Sequence, residues 1–274
     1  MFEIIFLGTG GGRFAMVTQK FRTGGIRILS EGVNVHIDPG PGALIYSLEA
    51  GLDPKKVDAV LVSHCHLDHT NDACVMIEAM TEGTTRKRGL LCASRSVLEG
   101  NEVCDKEITS YHRALPEKVV ETRVGTSFPV GNILVKVCKA VHTDPDTVGF
   151  RFETADYGGF AYIPDSEYFS DMREYYGGVR LLILSVLRPS GKPWKGHMST
   201  DEAVKAVADI LPEKVVITHF GMLMVSKGAD HEAKIIEKST GIPTIAAKDG
   251  MRLIFGREIV VSVTKRGEDL SRFL

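Results

Sequence analysis

The chain reads as one α/β domain spanning residues 1–274, with two sheets packed together and helices outside. Three observations predict this. The apolar runs are short and bounded by turn residues, as strands are. Two of them, residues 57–62 with Asp58 the one exception and residues 181–184, are apolar, which suits the centre of a sheet covered on both faces. Helical patterns fall between the runs, and no internal repeat, low-complexity tract or Pro/Ser-rich linker divides the chain.

Strands are expected at residues 4–7, 25–29, 33–37, 57–62, 134–141, 148–153, 160–163, 181–184, 215–218 and 253–255. In the third, Val33, Val35 and Ile37 alternate with Asn34 and His36, which places one face in a core. Helices are expected over 42–50, 72–81, from Ser199 to Leu211, and over 230–239. Ser199 can cap the third of these, with Glu202 completing a capping box and Pro212 as the stop. The last ends at Gly241, ahead of Pro243.

Charged residues make up 25% of the chain and the formal charge is −2, so no global field favours nucleic acid or a membrane surface. The run Arg86-Lys87-Arg88 reads as a solvated loop. The five cysteines are irregularly spaced and form no C-x-x-C pair, so a reducing, cytoplasmic setting is expected and not a disulfide framework. No cationic stretch precedes the apolar residues 2–7, so no signal peptide is expected. No segment approaches the roughly 18 apolar residues of a membrane span.

The chemistry concentrates in Ser63-His64-Cys65-His66-Leu67-Asp68-His69-Thr70, between an apolar strand and a helix. Three imidazoles and a carboxylate within six residues offer nitrogen and oxygen donors suited to zinc, manganese or iron. On an extended turn His64 and His66 point the same way, because side chains repeat every second residue. Asp68 and His69 then turn with the chain and can reach a second ion. A catalytic role for Cys65 is not expected, since its side chain points away from the two ligands beside it.

The motif and its surroundings resemble the metallo-β-lactamase superfamily. Phe6-Leu7-Gly8-Thr9-Gly10 is similar to the opening strand and glycine turn of that family, and Ile37-Asp38-Pro39-Gly40 to its next element. Ala140-Val141-His142, Tyr162-Ile163-Pro164-Asp165-Ser166 and Thr218-His219-Phe220-Gly221 resemble the segments that complete the metal site. The resemblance implies a four-layer αββα sandwich, two central mixed sheets flanked by helices. It implies a metal-dependent hydrolase with two divalent ions, zinc first, with manganese and iron also accepted. One ion would be held by His64, His66 and His142, the other by Asp68, His69 and His219. Asp165 would bridge them together with a hydroxide, and Asp38 would support a ligand histidine. Members of the family are often dimers, which leaves a homodimer open.

The context of the third histidine narrows the branch. His142 lacks the T-x-P-G-H-T setting of thioesterase-like members, and the run to Gly149-Phe150-Arg151 resembles the phosphodiesterase branch. That branch includes tRNA-trimming endonucleases (tRNase Z) and phosphoribosyl cyclic phosphate phosphodiesterases. Lys195-Gly196-His197-Met198-Ser199-Thr200 resembles its motif ahead of a helix, which makes His197 the candidate proton donor and Asp68 the orienting group for the nucleophile. The endonucleases carry a tRNA-gripping arm between the third histidine and the bridging aspartate; here residues 143–164 are filled by two expected strands. A small or cyclic phosphodiester is therefore the expected substrate. A tRNA 3′-end-type endoribonuclease and a thioester or lactone hydrolase are the alternatives.

Gly8-Thr9-Gly10-Gly11-Gly12-Arg13 departs from the dinucleotide fingerprint at Arg13, and no clear helix follows; the glycines read as a turn beneath the metal site. His36, His112 and His231 have no partner motif and read as structural or surface residues. Trp194 lies in a Pro/Gly-containing loop that could line the pocket.

Overall fold

The computed structural model describes residues 1–262; residues 263–274 of the expected domain lie outside the described residues. The strands are β1 (Phe2–Phe6), β2 (Ile26–Ser30), β3 (Val33–Ile37), β4 (Ala59–Val62), β5 (Leu90–Ser94), β6 (Lys118–Thr122), β7 (Ser127–Val130) and β8 (Ile133–Lys139). They continue with β9 (Val148–Thr154), β10 (Gly158–Ile163), β11 (Leu181–Ser185), β12 (Lys214–Thr218), β13 (Thr244–Ala246), β14 (Arg252–Phe255) and β15 (Ile259–Ser262). One sheet has the order β15-β14-β1-β2-β3-β4-β5-β6 and the other β13-β12-β11-β10-β9-β8-β7. Both are mixed. The first turns from antiparallel to parallel between β3 and β4. The second does so at β10, antiparallel to β9 and parallel to β11.

The pleat explains why certain runs are apolar throughout. Ala59 and Leu61 of β4 face the core between the sheets, while Val60 and Val62 face the helix Ala73–Met80 on the outside. Leu181 and Ile183 of β11 face the same central core; Leu182 and Leu184 face the helices Thr200–Ile210 and Ala229–Thr240. The layers are thus helix, sheet, sheet, helix, as the resemblance implied. The capping box expected at Ser199 and Glu202 is formed. Among the described residues no helix is long and apolar enough to cross a membrane.

Local reasons account for three of the departures from expectation. Val57 precedes β4 because Pro54–Lys56 form a 3-10 turn, with the Asp53 carboxylate accepting from the Lys55 N–H. β8 stops before Val141, whose backbone leaves the sheet to pair with Ser166 and Glu167. A helix does follow the glycine run, over Gly12–Thr18, contrary to the sequence reading. Its large apolar residues Phe14 and Val17 point outward, 76% and 71% exposed, so the polarity pattern that marks a packed helix is inverted there.

At the centre of the inter-sheet core, Phe160 stacks on Phe152 with ring centroids 4.7 Å apart and meets Phe255 edge-on at 5.0 Å. Phe160→Ala is expected to cost about 3–5 kcal/mol in urea unfolding, the range for deleting a fully buried aromatic ring. A loss below about 1 kcal/mol would show that the sheets do not share this core.

Candidate metal centre

Six loops deliver the site, and most leave the carboxyl ends of strands near the two switch points, where ligands gather in α/β sheets. Asp38 directly follows β3, His64 follows β4, Asp165 follows β10, and His219 directly follows β12. His142 follows β8, and His197 precedes the helix Thr200–Ile210. Asp68 and His69 sit on the one-turn helix Leu67–Thr70.

The expected ligands gather into two adjoining groups, His64, His66, His142 and Asp165, and Asp68, His69 and His219. In the first, His66 Nδ1 lies 3.2 Å from His64 Nε2 and 3.1 Å from His142 Nε2. Asp165 Oδ2 is 3.9 Å from His64 Nε2 and 3.8 Å from His142 Nε2. In the second, His219 Nε2 lies 3.0 Å from His69 Nε2 and 3.2 Å from Asp68 Oδ2. Asp165 Oδ2 is 3.8 Å from His69 Nε2, so one carboxylate oxygen faces both groups. A tetrahedral ion with 2.0–2.1 Å bonds has donor–donor edges of roughly 3.3–3.4 Å. The spacing and the donor chemistry therefore fit two divalent cations. Asp165 Oδ1 and His219 Nδ1, both buried, lie 3.0 Å apart, which ties that carboxylate to the second group.

The partners of the far ring nitrogens fix the tautomers. His142 Nδ1 donates to the Gly196 carbonyl (2.5 Å). His69 Nδ1 donates to Asp38 Oδ2 (3.0 Å). His64 Nδ1 donates to Ser63 Oγ (2.9 Å), because that hydroxyl spends its own proton on Asp38 Oδ2 (2.7 Å). In His64 and His142 the Nε2 lone pair is left facing the centre, as metal ligation requires, and in His69 it is the Nε2 position, still protonated, that faces it.

Asp38 thus anchors two ligand rings at once. It also accepts the Ser63 N–H (2.7 Å) and the Tyr162 hydroxyl (3.0 Å). Ser63 and Tyr162 were missed as site residues in the sequence. Tyr162 shares its strand parity with the core residue Phe160, and that parity is the signal that could have turned it inward. Asp144, also missed, binds the Cys65 N–H between the first two ligands (3.1 Å). Cys65 itself points into the outer apolar core, as expected.

The backbone is bent to make these contacts. Asp38 and His219 both adopt left-handed φ values, 49° and 62°. Such conformations are uncommon outside glycine and gather at functional sites. Gly11 lies flat under the His219 ring, and a Cβ there would fall 2.2 Å from it. The Gly12 N–H donates to Asp68 Oδ2 (2.6 Å). The glycine run therefore carries the chain beneath the metal centre.

Burial and charge divide the two groups. Burial pushes the His64 imidazolium well below its usual range, and His142 is lowered to about 4 by burial, against the pull of Asp165. Both are neutral imidazoles at neutral pH. Burial also opposes the His69 imidazolium, but Asp68 and Asp38 outweigh it and raise that group to about 10. Asp165 is held well below the usual carboxylate range: burial opposes its charge, and His219 and His197 overcome that.

The other histidines lie elsewhere. His36 is fully buried on the outer face of β3, its Nε2 2.8 Å from the Gly24 carbonyl oxygen. Burial, then the charge of Arg27, lowers it to about 3. His112 pairs with Glu78. Trp194 is 57% exposed in the loop before His197, with the Arg188 guanidinium over its ring at 4.7 Å.

Residues 33–220 match the family described as the β-lactamase superfamily domain. An uncharacterized protein of Methanocaldococcus jannaschii, MJ1374, is 37% identical over 253 residues, 92% of this chain and 94% of that protein. A ribonuclease Z of Methanopyrus kandleri is 30% identical over 159 residues, 57% of this chain and 52% of that enzyme. Among solved structures, the metallo-β-lactamase fold protein YhfI from Bacillus subtilis superposes with a TM-score of 0.76 at 19% identity, covering 92% of this chain and 98% of that one. A diphosphatase of the PhnP family gives 0.67 at 18% identity, covering 92% and 97%. The chain belongs to the β-lactamase superfamily and is a metal-dependent hydrolase.

A cation entering the second group must expel the proton that His69 keeps up to about pH 10. Zinc titrated into chelator-stripped protein should therefore show affinity for one ion rising about tenfold per pH unit between pH 6 and 8, with matching proton release in calorimetry. Affinity independent of pH would contradict the protonated state of His69.

Proposed function

We propose that the protein is a phosphodiesterase acting on a small or cyclic phosphodiester, with two divalent cations, zinc first, held by the two ligand groups. Bound there, the cations would lower the pKa of a water and offset charge developing on the phosphoryl oxygens. The observation that carries the reading is His197. It belongs to neither ligand group, yet its Nε2 lies 3.1 Å from Asp165 Oδ2. Its Nδ1 faces the Lys195 carbonyl oxygen at 3.1 Å. Both nitrogens thus face acceptors, which favours the doubly protonated ring. Burial works against that charge, but Asp165 overcomes it and raises the imidazolium's pKa. A side chain 13% exposed at the edge of the centre can hand this proton to a leaving oxygen.

The remaining roles follow from the contacts. Asp68 turns Oδ2 toward His69 and His219, and its other oxygen can accept from the attacking water. Burial opposes the Asp68 charge, yet His69 and His219 hold its carboxyl well below the usual range, so it acts as an acceptor. Glu167 accepts the Gly196 N–H (2.5 Å), which steadies the loop carrying His197.

The small-substrate reading draws on the interval after His142. A tight turn leads into β9 and β10, which reach to Ile163, so no arm separates His142 from Asp165. A second reading, a tRNA 3′-end-type endoribonuclease, is favoured by the ribonuclease Z relatives, although the chain spans about half the length of the one from Methanopyrus kandleri.

Metal-loaded protein is expected to hydrolyse bis(p-nitrophenyl) phosphate with about two ions per chain, and chelation should abolish turnover. His197→Ala should lower kcat by about 10²–10⁴-fold with metal content unchanged. In the native enzyme kcat should fall as pH rises past the raised His197 pKa, because the donor must be protonated. Full turnover by His197→Ala would overturn the proton-donor role.

A further inference from the structure

We infer that the protein has a second oxyanion site, built without metal ligands, that takes a phosphate monoester. It lies at the carboxyl ends of β5 and β6. These strands are parallel, with Ser94 opposite Thr122 as the last pair, and Arg95 and Arg123 directly follow them. Both arginines line a cavity of about 270 Å³, together with Thr122, Pro145, Asp146 and Thr147.

The cavity has the features of a built anion site. Two guanidiniums at one sheet edge supply planar donors suited to phosphate oxygens. Arg95 makes no ion pair within 4.0 Å among the described residues, and Arg123 shares its charge with Glu121. Thr122 is 2% exposed, and its Oγ1 is buried without any hydrogen-bond partner. An unpaired buried hydroxyl is unfavourable, and because Thr122 lines the cavity a rotation of its side chain would bring Oγ1 to a ligand oxygen. Asp146 adds an acceptor to the lining, its carboxylate already steadied by Asn101 Nδ2 (2.9 Å). An acceptor beside an oxyanion suits a hydroxylated group attached to the phosphate, and the volume leaves room for one.

The site adjoins the metal centre without being part of it. Pro145, Asp146 and Thr147 face the cavity, while Asp144 of the same turn binds the Cys65 N–H between His64 and His66. Val148, after the turn, donates its N–H to the Ser63 carbonyl (3.1 Å). Occupancy would thus brace the turn against the loop that carries the first ligands. The inference stands on this cavity alone and holds whichever ester the metal centre cleaves.

The test is a calorimetric titration of metal-loaded protein with inorganic phosphate and, separately, with ribose 5-phosphate. A binding event is expected that persists in the metal-free His64→Ala variant. It should weaken by about tenfold or more in Thr122→Val and in Arg95→Ala/Arg123→Ala. Without ligand, Thr122→Val should melt at the same temperature as the native protein or higher, because it removes an unsatisfied hydroxyl. Tighter binding of ribose 5-phosphate, lost in Asp146→Ala, would identify a sugar phosphate as the ligand; equal binding would identify the oxyanion alone. Binding that vanishes with the metals, or that is unchanged in the arginine and threonine variants, would overturn the inference.

Discussion

The site turns on one buried carboxylate among imidazoles. Asp165 lies 3.0–3.9 Å from nitrogens of His64, His69, His142, His197 and His219, and it is 2% exposed. An isolated charge in such a place would be expelled or neutralised. Here the surrounding rings keep it ionised, and it in turn sustains the proton on His197. In the proposed reaction, ligand chemistry and acid chemistry would draw on the same negative charge. Five loops from both sheets must converge within a few ångströms to arrange this, which makes the packing of the two sheets a condition of function.

Asp38 plays the complementary part from outside the ligand set. Its carboxylate receives four donors, two of which orient His69 and, through Ser63, His64. A carboxylate with this many donors is rigid, and rigidity in the outer partner is what holds ligand rings to metal geometry. The left-handed backbone at Asp38 and at His219 shows where the fold accepts strain to aim side chains. The glycines beneath His219 are the matching concession on the opposite side.

Much of this was legible in the sequence because it is local. The spacing of His64, His66, Asp68 and His69 is set by one turn and one short helix, and the strand alternation of residues 33–37 shows directly. His142, Asp165, His197 and His219 were placed by resemblance, since no local pattern binds four residues scattered over three strand ends and the approach to a helix. What stayed hidden depends on tertiary approach. Tyr162 reaches Asp38 across the inter-sheet core, and Asp144 reaches the Cys65 backbone across a sheet edge. The helix Gly12–Thr18 was missed because its apolar residues face outward, and β7 because it is short and carries Pro129. The approach of Arg95 and Arg123 to one cavity is likewise invisible until β5 and β6 lie side by side.

The most direct test of Asp165 as the shared ligand is the metal content of Asp165→Ala, measured on folded protein dialysed against buffered zinc. With the shared carboxylate gone, the chain should hold at most one ion, bound more weakly than in the native protein. Two ions retained at native affinity would show that the two ligand groups are independent and that Asp165 does not join them.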